Sequence, residues 1–279
     1  MKKNIFFTGM PVMALVFALV FTGCPTDSGG GESDPISVNL SLPPIQDVEA
    51  FTGTFVSDET EAKDLVGTAF TEIAGISDIS SLQNSVYSVS RSISRSVYSE
   101  PYEEIFDHDT TLLQGAEVTG FVQGETTASA ADDNNPGSTV GDYQEVSLKA
   151  KLAIVFKDVT RNGSTIKGKY GIDESMYYKL RLTSINPQKG EIAISSSATD
   201  GYAVSISKGG KGLKFVMEMQ GKVNNKTIPV DGSFDPDDIG DLFDTYNLSL
   251  KIYDNDNEEQ YSQTFTSYAA AAAYLGISQ

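Results

Sequence analysis

Apolar and polar residues alternate along most of the chain from about residue 115 onward. The clearest run is Glu145 to Lys157, in which every second residue is apolar and the residues between include three lysines. A period of two places the apolar side chains on one face of a strand. We therefore predict a half-buried strand of about 12 residues, which is longer than usual. The apolar set is Val146, Leu148, Ala150, Leu152, Ile154 and Phe156.

Short turn signals separate this run from later alternating segments. Asn162-Gly163 is a strong hairpin signal, and Asp200-Gly201 and Gly209-Gly210 have the composition of turns. Residues 186–190 also predict a reversal. Two more strands, 246–253 and 259–265, are joined by Asp254 to Asn257. Alternating strands joined by short loops predict an antiparallel meander with one apolar face.

Helical spacing occurs at both ends of the predicted sheet. Ser57 is a candidate N-cap for a helix that has apolar residues from Ala62 to Ile73 on one face and that Gly75 ends. Ser77 begins a second helix through Val97, and Ser267 or Thr266 caps a short alanine-rich helix over 268–275. We predict a mainly β (α+β) fold: a curved or partly closed meander of about eight or nine strands with two N-terminal helices and one C-terminal helix.

The N-terminus has the pattern of an export signal. Lys2 and Lys3 precede an almost unbroken apolar stretch, Ile5 to Phe21, and small residues follow. Cys24, the only cysteine of the chain, comes directly afterwards. Phe21-Thr22-Gly23-Cys24 resembles the lipobox of bacterial lipoproteins, in the looser form associated with spirochaetes. The resemblance covers only the first two dozen residues, and it implies that Cys24 carries a diacylglycerol anchor after cleavage.

Two other interpretations of this segment stay open. The apolar stretch is near the lower length limit for a membrane-spanning helix, although Gly9 and Pro11 interrupt it. Alternatively, Cys24 is incidental to an ordinary secreted protein that is cleaved nearby. With one cysteine, no intramolecular disulfide is possible in either case.

These patterns divide the chain into three parts. We interpret 1–23 as a lipoprotein signal peptide and 24–44 as the acylated cysteine with a flexible tether, because this stretch is rich in Gly, Ser, Asp and Pro. We expect 45–279 to form a single globular domain, helical over 45–114 and a β-meander with its C-terminal helix over 115–279. The predicted location is the cell envelope, with the outer membrane favoured over the inner, facing the periplasm or the cell surface.

Composition narrows the classes of function. The net charge of −18 argues against nucleic-acid binding. His108 is the only histidine, so neither a Cys–His pair nor a multi-histidine zinc site can form. Asp254 to Glu259 has oxygen ligands for calcium but departs from the EF-hand pattern at Glu259, where that loop needs glycine. We therefore predict no catalytic residue, no metal site and no cofactor.

One apolar face remains a candidate for ligand binding. Aromatic and Met side chains on the inner face of the predicted sheet suit an adaptable apolar pocket, but they equally suit a filled core. These residues are Phe156, Tyr170, Tyr178, Tyr202, Phe215, Met217 and Met219. The sequence thus predicts a non-enzymatic envelope lipoprotein that interacts with protein partners through its surface. The alternative is a binding or carrier module for a lipid or another apolar ligand. The oligomeric state is left open.

Overall fold

The computed structural model describes residues 26–27, 34–74, 102–111, 115–129, 143–185, 188–229 and 242–275. Ten strands form one sheet within these ranges, and two α-helices accompany it. The strands are β1 (Thr26–Asp27), β2 (Thr54–Phe55), β3 (Tyr102–Asp109), β4 (Ala116–Ser129), β5 (Tyr143–Arg161), β6 (Ser164–Ile185), β7 (Gln188–Lys208), β8 (Lys211–Pro229), β9 (Thr245–Tyr253) and β10 (Glu259–Phe265). The helices are α1 (Glu59–Ala74) and α2 (Tyr268–Leu275).

The sheet is an open antiparallel meander. From β4 to β10 each strand pairs with the next along the chain, while β1 and β3 pair with β4 at one edge. The exception is β2, which pairs parallel to β8 over two residues. The sheet is not closed into a barrel. The prediction of a mainly β meander with short helices is therefore confirmed, and the predicted helix that begins at Ser77 lies outside the described residues.

The central strands are longer than the sequence indicated. β6 has 22 residues and β7 has 21, against a usual length of about five or six. The predicted turn at Asp200-Gly201 is wrong, because both residues pair with β6 and β8 in the middle of β7. The hairpins at Asn162-Gly163 and Gly209-Gly210 are confirmed, and these residues have the positive φ angles that such turns require.

The core lies between the inner face of the sheet and α1. Alternate residues of β4 to β9 join α1 in one buried cluster, and Ala62, Val66, Ala69 and Ile73 of the helix are fully buried there. Asp58 caps this helix instead of Ser57, because its Oδ1 accepts the N–H groups of Thr60 and Glu61. A large apolar helix face against an apolar sheet face supplies most of the burial that stabilises the fold.

The outer face of the sheet is covered in part by the residues that precede α1. Residues 34–55, which we call the outer strap, run across β5 to β8 before the chain enters α1. The strap includes a short 3₁₀ helix, Ile45–Asp47, and β2. Residues 34–44, which the sequence suggested as part of a flexible tether, thus contact the sheet. Among the described residues, no helix is long and apolar enough to cross a membrane.

Candidate functional site

Most residues of the predicted ligand face are buried in the core. The six whose side chains are described are each at most 2% exposed, and all belong to the main cluster: Phe156, Tyr170, Tyr202, Phe215, Met217 and Met219. Tyr178 lies in β6, but its side chain is outside the described part of the structure. The sheet thus brings these residues to one face, as the alternation predicted.

An aromatic side chain of α1 covers this face. The Phe70 ring lies edge-on to Tyr202 at 5.2 Å between centroids, and it makes a similar contact with Phe215 at 5.8 Å. Edge-to-face pairs at this spacing are favourable beyond their buried area. Tyr170 stacks on Tyr202 at 4.2 Å between ring centroids. Among the described residues, Phe70 of α1 therefore covers the part of the predicted ligand face that Tyr202 and Phe215 form.

Two acidic residues lie on the same inner face, where the sequence indicated only apolar packing. Glu174 follows Tyr170 and Ile172 in phase on β6, and Asp200 precedes Tyr202 in phase on β7. Glu174 is 3% exposed and Asp200 is 5% exposed. In the antiparallel register Asp200 is opposite Ile172, so the two carboxyl groups are diagonal neighbours across adjacent strands.

Tyrosine hydroxyl groups complete this arrangement, which we call the acid–tyrosine cluster: Tyr170, Glu174, Asp200, Tyr202 and Tyr246. Within the described structure, both carboxylate oxygens of Glu174, Oδ1 of Asp200 and the hydroxyl groups of Tyr170 and Tyr246 are buried without a hydrogen-bond partner. Tyr202 is the stacking neighbour of Tyr170, and burial raises the pKa of both hydroxyl groups. Polar groups buried in this way are unfavourable by about 1–3 kcal/mol each.

Burial governs the ionisation of the cluster. It raises the pKa of Asp200 to about 7. The pKa of Glu174 is raised well above its usual value, first by burial and then by the nearby Asp200 carboxyl group. Burial also raises the pKa of Tyr246, and Asp200 contributes in the same direction. The cluster therefore favours protonated, neutral carboxyl groups over a pair of buried charges.

Small residues separate the long polar side chains. One row across four strands reads Glu174, Ala198, Gly221 and Tyr246 from β6 to β9. The Phe243 ring lies over Gly221, with its Cε1 2.8 Å from the position that a Cβ would take. Phe243 also contacts the Tyr246 ring at 5.4 Å between centroids. The row thus has the Glu174 carboxyl group at its β6 end and the Tyr246 phenol at its β9 end, with the small residues Ala198 and Gly221 between them.

The outer strap contacts the opposite face through apolar side chains over glycines. Gly171 and Gly201 pair directly with each other in adjacent strands, and Leu40 and Leu42 lie over them. Farther along the strap, the Phe51 ring lies over Gly212. A side chain at these glycines would meet the strap, so the absence of a Cβ creates the groove that the strap fills.

Lysines on the outer face hold the polar groups of the strap. Asp34 pairs with Lys149 and Lys151, and these two lysines hold the pKa of the Asp34 carboxyl group below its usual range. Lys169 Nζ donates to the carbonyl oxygens of Asn39 and Ser41 at 2.7 and 2.8 Å. Lys167 pairs with Glu49 at 2.9 Å. Much of the positive charge of these strands is thus neutralised within the chain.

His108 lies on the surface, away from the inner-face cluster. It occupies an irregularity in β3 where φ is positive, and its side chain is 70% exposed. Its Nδ1 is 2.6 Å from Oε1 of Glu117, and this hydrogen bond is the main cause that raises the pKa of the imidazole. Lys157 holds the other oxygen of Glu117 at 2.7 Å. The Thr119 hydroxyl group lies 3.4 Å from Nδ1 of His108.

The acidic turn 254–259 has the structure of a turn. Asp254 Oδ1 accepts the N–H groups of Asp256 and Glu258, and its Oδ2 accepts from the Gln260 amide. Asn257 Oδ1 accepts from the ammonium group of the buried Lys214 at 2.9 Å. Throughout the described ranges, no group of three or more His, Cys, Asp or Glu residues gathers in a metal-binding arrangement.

Comparison with known proteins gives no relative. No family description, no curated protein and no solved structure matches this chain. Cys24, the predicted lipidation residue, lies outside the described residues. The sequence analysis missed Glu174 and Asp200 as members of a site. The alternation of Tyr170, Ile172 and Glu174 already placed Glu174 on the inner face, whereas Asp200 was assigned to a turn.

Proposed function

We propose that this chain is a lipid-anchored protein of the bacterial cell envelope that acts through its surface and catalyses no reaction. The observation that carries the proposal is the position of Cys24, the sole cysteine, directly after an apolar export-type segment. A diacylglycerol with a further acyl chain on Cys24 gives stable membrane attachment, which a single chain does not. The outer membrane is the proposed location.

The fold supports a surface-acting protein. The inner face of the sheet packs against α1, with Phe70 over Tyr202 and Phe215, so this region serves as core. The exposed His108 pairs with Glu117 on the surface, and the other carboxylate oxygen of Glu117 pairs with Lys157. The remaining candidate for a functional region is the broad polar surface. We propose that this surface binds a protein partner or another envelope component.

Metabolic labelling tests the anchor. Cells that express the full chain are grown with an alkyne-tagged palmitate, and the label and the membrane fraction of the protein are measured. We expect the wild type to carry label and to pellet with membranes, and Cys24→Ala to lose both. Ser28→Ala, which changes a nearby residue outside the lipobox, is the matched control and should behave as the wild type. Unlabelled wild-type protein, or unchanged label in Cys24→Ala, would contradict the proposal.

Native mass spectrometry of the full chain tests the alternative of an apolar carrier. With the covalent anchor removed by Cys24→Ala, the surface-acting protein is expected to give the bare chain mass. A reproducible, non-covalent apolar adduct would favour the carrier alternative. This measurement therefore separates a molecule bound by the fold from a lipid attached to the cysteine.

A further inference from the structure

We propose that β10 pairs edge to edge with β10 of a second copy of this chain, so that two sheets join into one across a two-fold axis. β10 ends the sheet, and among the described residues it pairs only with β9. An edge strand presents backbone N–H and C=O groups that a further strand can use. The second copy is thus the partner in the proposed surface function, and the pairing rests on that function only for its setting at a membrane.

The two edges of the sheet differ in how they discourage such pairing. β3, at the opposite edge, has four acidic residues among eight and an irregularity at His108. Charges and irregularities are the usual protection of an edge strand. β10 contains no lysine or proline, residues 260–265 are uncharged, and its one irregularity lies at its start. The sheet therefore protects one edge and leaves the other able to pair.

β10 is exposed at its centre and yet held in position. Residues 262–264 are exposed. The Tyr261 hydroxyl group donates to the carbonyl oxygen of Ser57, just before α1, and the Phe265 ring packs against Tyr274 of α2 at 5.0 Å between centroids. A strand that is already ordered loses little conformational entropy when it binds. The edge is therefore prepared for a partner strand.

The side chains of β10 are complementary to those of a second β10. A two-fold axis through Gln263 places this residue opposite its own copy. Tyr261 then lies opposite Phe265 of the second copy. Ser262 likewise lies opposite Thr264. Aromatic pairs and hydroxyl pairs of this kind are favourable across antiparallel strands. Gln263 shares the inner side of β10 with Tyr261 and Phe265 but is exposed, and its amide group can both donate to and accept from its own copy.

Electrostatic repulsion between two acidic chains is small along this axis. Glu259 is the only charged residue of β10, and it pairs with Lys251 at 3.3 Å. In the register centred on Gln263, the two copies of Glu259 lie about 27 Å apart along the strands, at about 3.4 Å per residue. This separation exceeds the Debye length of about 8 Å at physiological ionic strength. The acidic β3 strands lie at the far ends of the joined sheet, so β10 is the edge at which two copies approach with less repulsion.

The same axis keeps the N-terminal parts of both copies on one side. It is perpendicular to the sheet, so both inner faces share one side and both outer straps share the other. Lipid anchors that precede the two straps can therefore enter one membrane. A single pair of edge strands makes a small interface, and we expect a weak dimer in solution. Attachment to a common membrane raises the effective concentration and favours the dimer.

Disulfide trapping tests the pairing in the full chain, purified in detergent. In the Cys24→Ala background, Gln263→Cys introduces the only cysteine. Directly opposed residues of antiparallel strands have Cα atoms about 4.5–5.5 Å apart, which a disulfide can bridge. Ile105→Cys, in the same background, places an exposed cysteine on β3 and is the matched control. Under mild oxidation we expect at least about tenfold more cross-linked dimer from Gln263→Cys than from Ile105→Cys.

Charge exchange at the axis is the second test. Gln263→Lys and Gln263→Glu, again with Cys24→Ala, each place two like charges opposite each other. Each alone should dimerise at least about tenfold more weakly than Cys24→Ala, and an equimolar mixture should restore the dimer. Ile105→Lys should dimerise as Cys24→Ala does. Sedimentation velocity over a concentration series measures the dimer, and circular dichroism checks the fold. The dimer has the mass of two bare chains, which distinguishes it from an apolar adduct.

Either of two results would overturn the proposal. One is a Cys24→Ala protein that stays monomeric up to about 1 mM, with no more cross-linking from Gln263→Cys than from Ile105→Cys. The other is a dimer that neither Gln263→Lys nor Gln263→Glu weakens, because the two copies then meet elsewhere. All of these chains lack the lipidation residue. Their behaviour is therefore separate from the result of palmitate labelling, which decides the anchor alone.

Discussion

Leu42 lies over Gly201 on the outer face of the sheet, and its Cδ1 is 2.9 Å from the position that a Cβ of residue 201 would take. Gly201 is therefore required for close contact between the outer strap and β7. The atom in conflict is the end of a flexible side chain, so a methyl group here displaces Leu42 without breaking the strand. A small substitution at residue 201 can therefore weaken the attachment of the strap without destabilising the sheet.

We predict that Gly201→Ala loosens the strap and leaves the sheet folded. Loss of the Leu42 contact should raise the rate of thermolysin cleavage at Leu40 and Leu42 roughly tenfold, because cleavage tracks the open fraction. Circular dichroism should be unchanged. Thr199→Ala changes the neighbouring exposed residue of the same face and should cleave as the wild type does. Equal cleavage rates for Gly201→Ala and Thr199→Ala would show that Leu42 does not hold the strap.

The buried Asp200 carboxyl group gives the stability of the protein a defined dependence on pH. Its folded pKa of about 7 is above the ordinary value of 3.8, so the folded state holds the proton more tightly than the unfolded chain does. The resulting stability is complete below about pH 4 and is lost as the pH rises through about 7. Tyr170, Glu174, Tyr202 and Tyr246 are the described titratable groups that face Asp200.

Asp200→Asn should therefore flatten this dependence. We expect the variant to be more stable than the wild type at pH 8, by on the order of 2–4 kcal/mol, and to differ little at pH 4. Urea unfolding at both pH values measures the difference. Asp173→Asn is the matched control on the outer face. Parallel pH profiles for Asp200→Asn and the wild type would mean that Asp200 does not ionise in the folded core.

Phe70 fixes α1 to the sheet. Phe70→Ala removes the ring between Tyr202 and Phe215, and we expect a loss of about 3–5 kcal/mol in the free energy of unfolding. Asp64→Ala changes an exposed residue of the same helix and should alter the stability by less than about 0.5 kcal/mol. Denaturant midpoints compare the two variants. A Phe70→Ala midpoint equal to that of Asp64→Ala would show that this helix does not seal the core.

The single histidine gives a direct probe of the β3–β4 surface. Because the Glu117 hydrogen bond is the main cause of the raised pKa of His108, Glu117→Gln should return that pKa toward 6.5. Asp107→Asn should lower it by less, since Asp107 acts only through space. Proton NMR follows the one imidazole signal during titration. A larger effect of Asp107→Asn than of Glu117→Gln would contradict the observed pairing.

Local pattern was sufficient for most of the fold. The alternation over 145–157 and the hairpin at Asn162-Gly163 both correspond to structure, because each depends on neighbours in sequence. The C-terminal helix was also predicted, with Ser267 Oγ accepting from the Ala270 N–H. Asp200-Gly201 was interpreted as a turn because these residue types favour turns, yet here the glycine admits Leu42 from a distant segment.

Long-range packing explains what the sequence did not reveal. The outer strap depends on Gly171 and Gly201, which lie about 130 to 160 residues away along the chain, so composition alone suggested a flexible tether. The acid–tyrosine cluster depends on the register of β6 to β9, which places Glu174, Asp200 and Tyr246 on the same face of the sheet. No pattern in the neighbouring sequence indicates that a carboxyl group in a strand will be buried without a hydrogen-bond partner.

The outer strap also affects how the folded domain responds to tension applied to the N-terminal part of the chain. Tension applied to the N-terminal part of the chain meets the short β1–β4 pairing first, then Asp34, which Lys149 and Lys151 hold, and next the carbonyl groups held by Lys169. These strap contacts lie one after another across the strands. We therefore expect tension to break them one at a time, which needs less force than breaking them together. The hydrogen-bonded ladders from β5 to β8 are therefore expected to carry little load until the strap has detached. Under tension, we therefore expect the strap to detach and extend before the strands of the sheet separate.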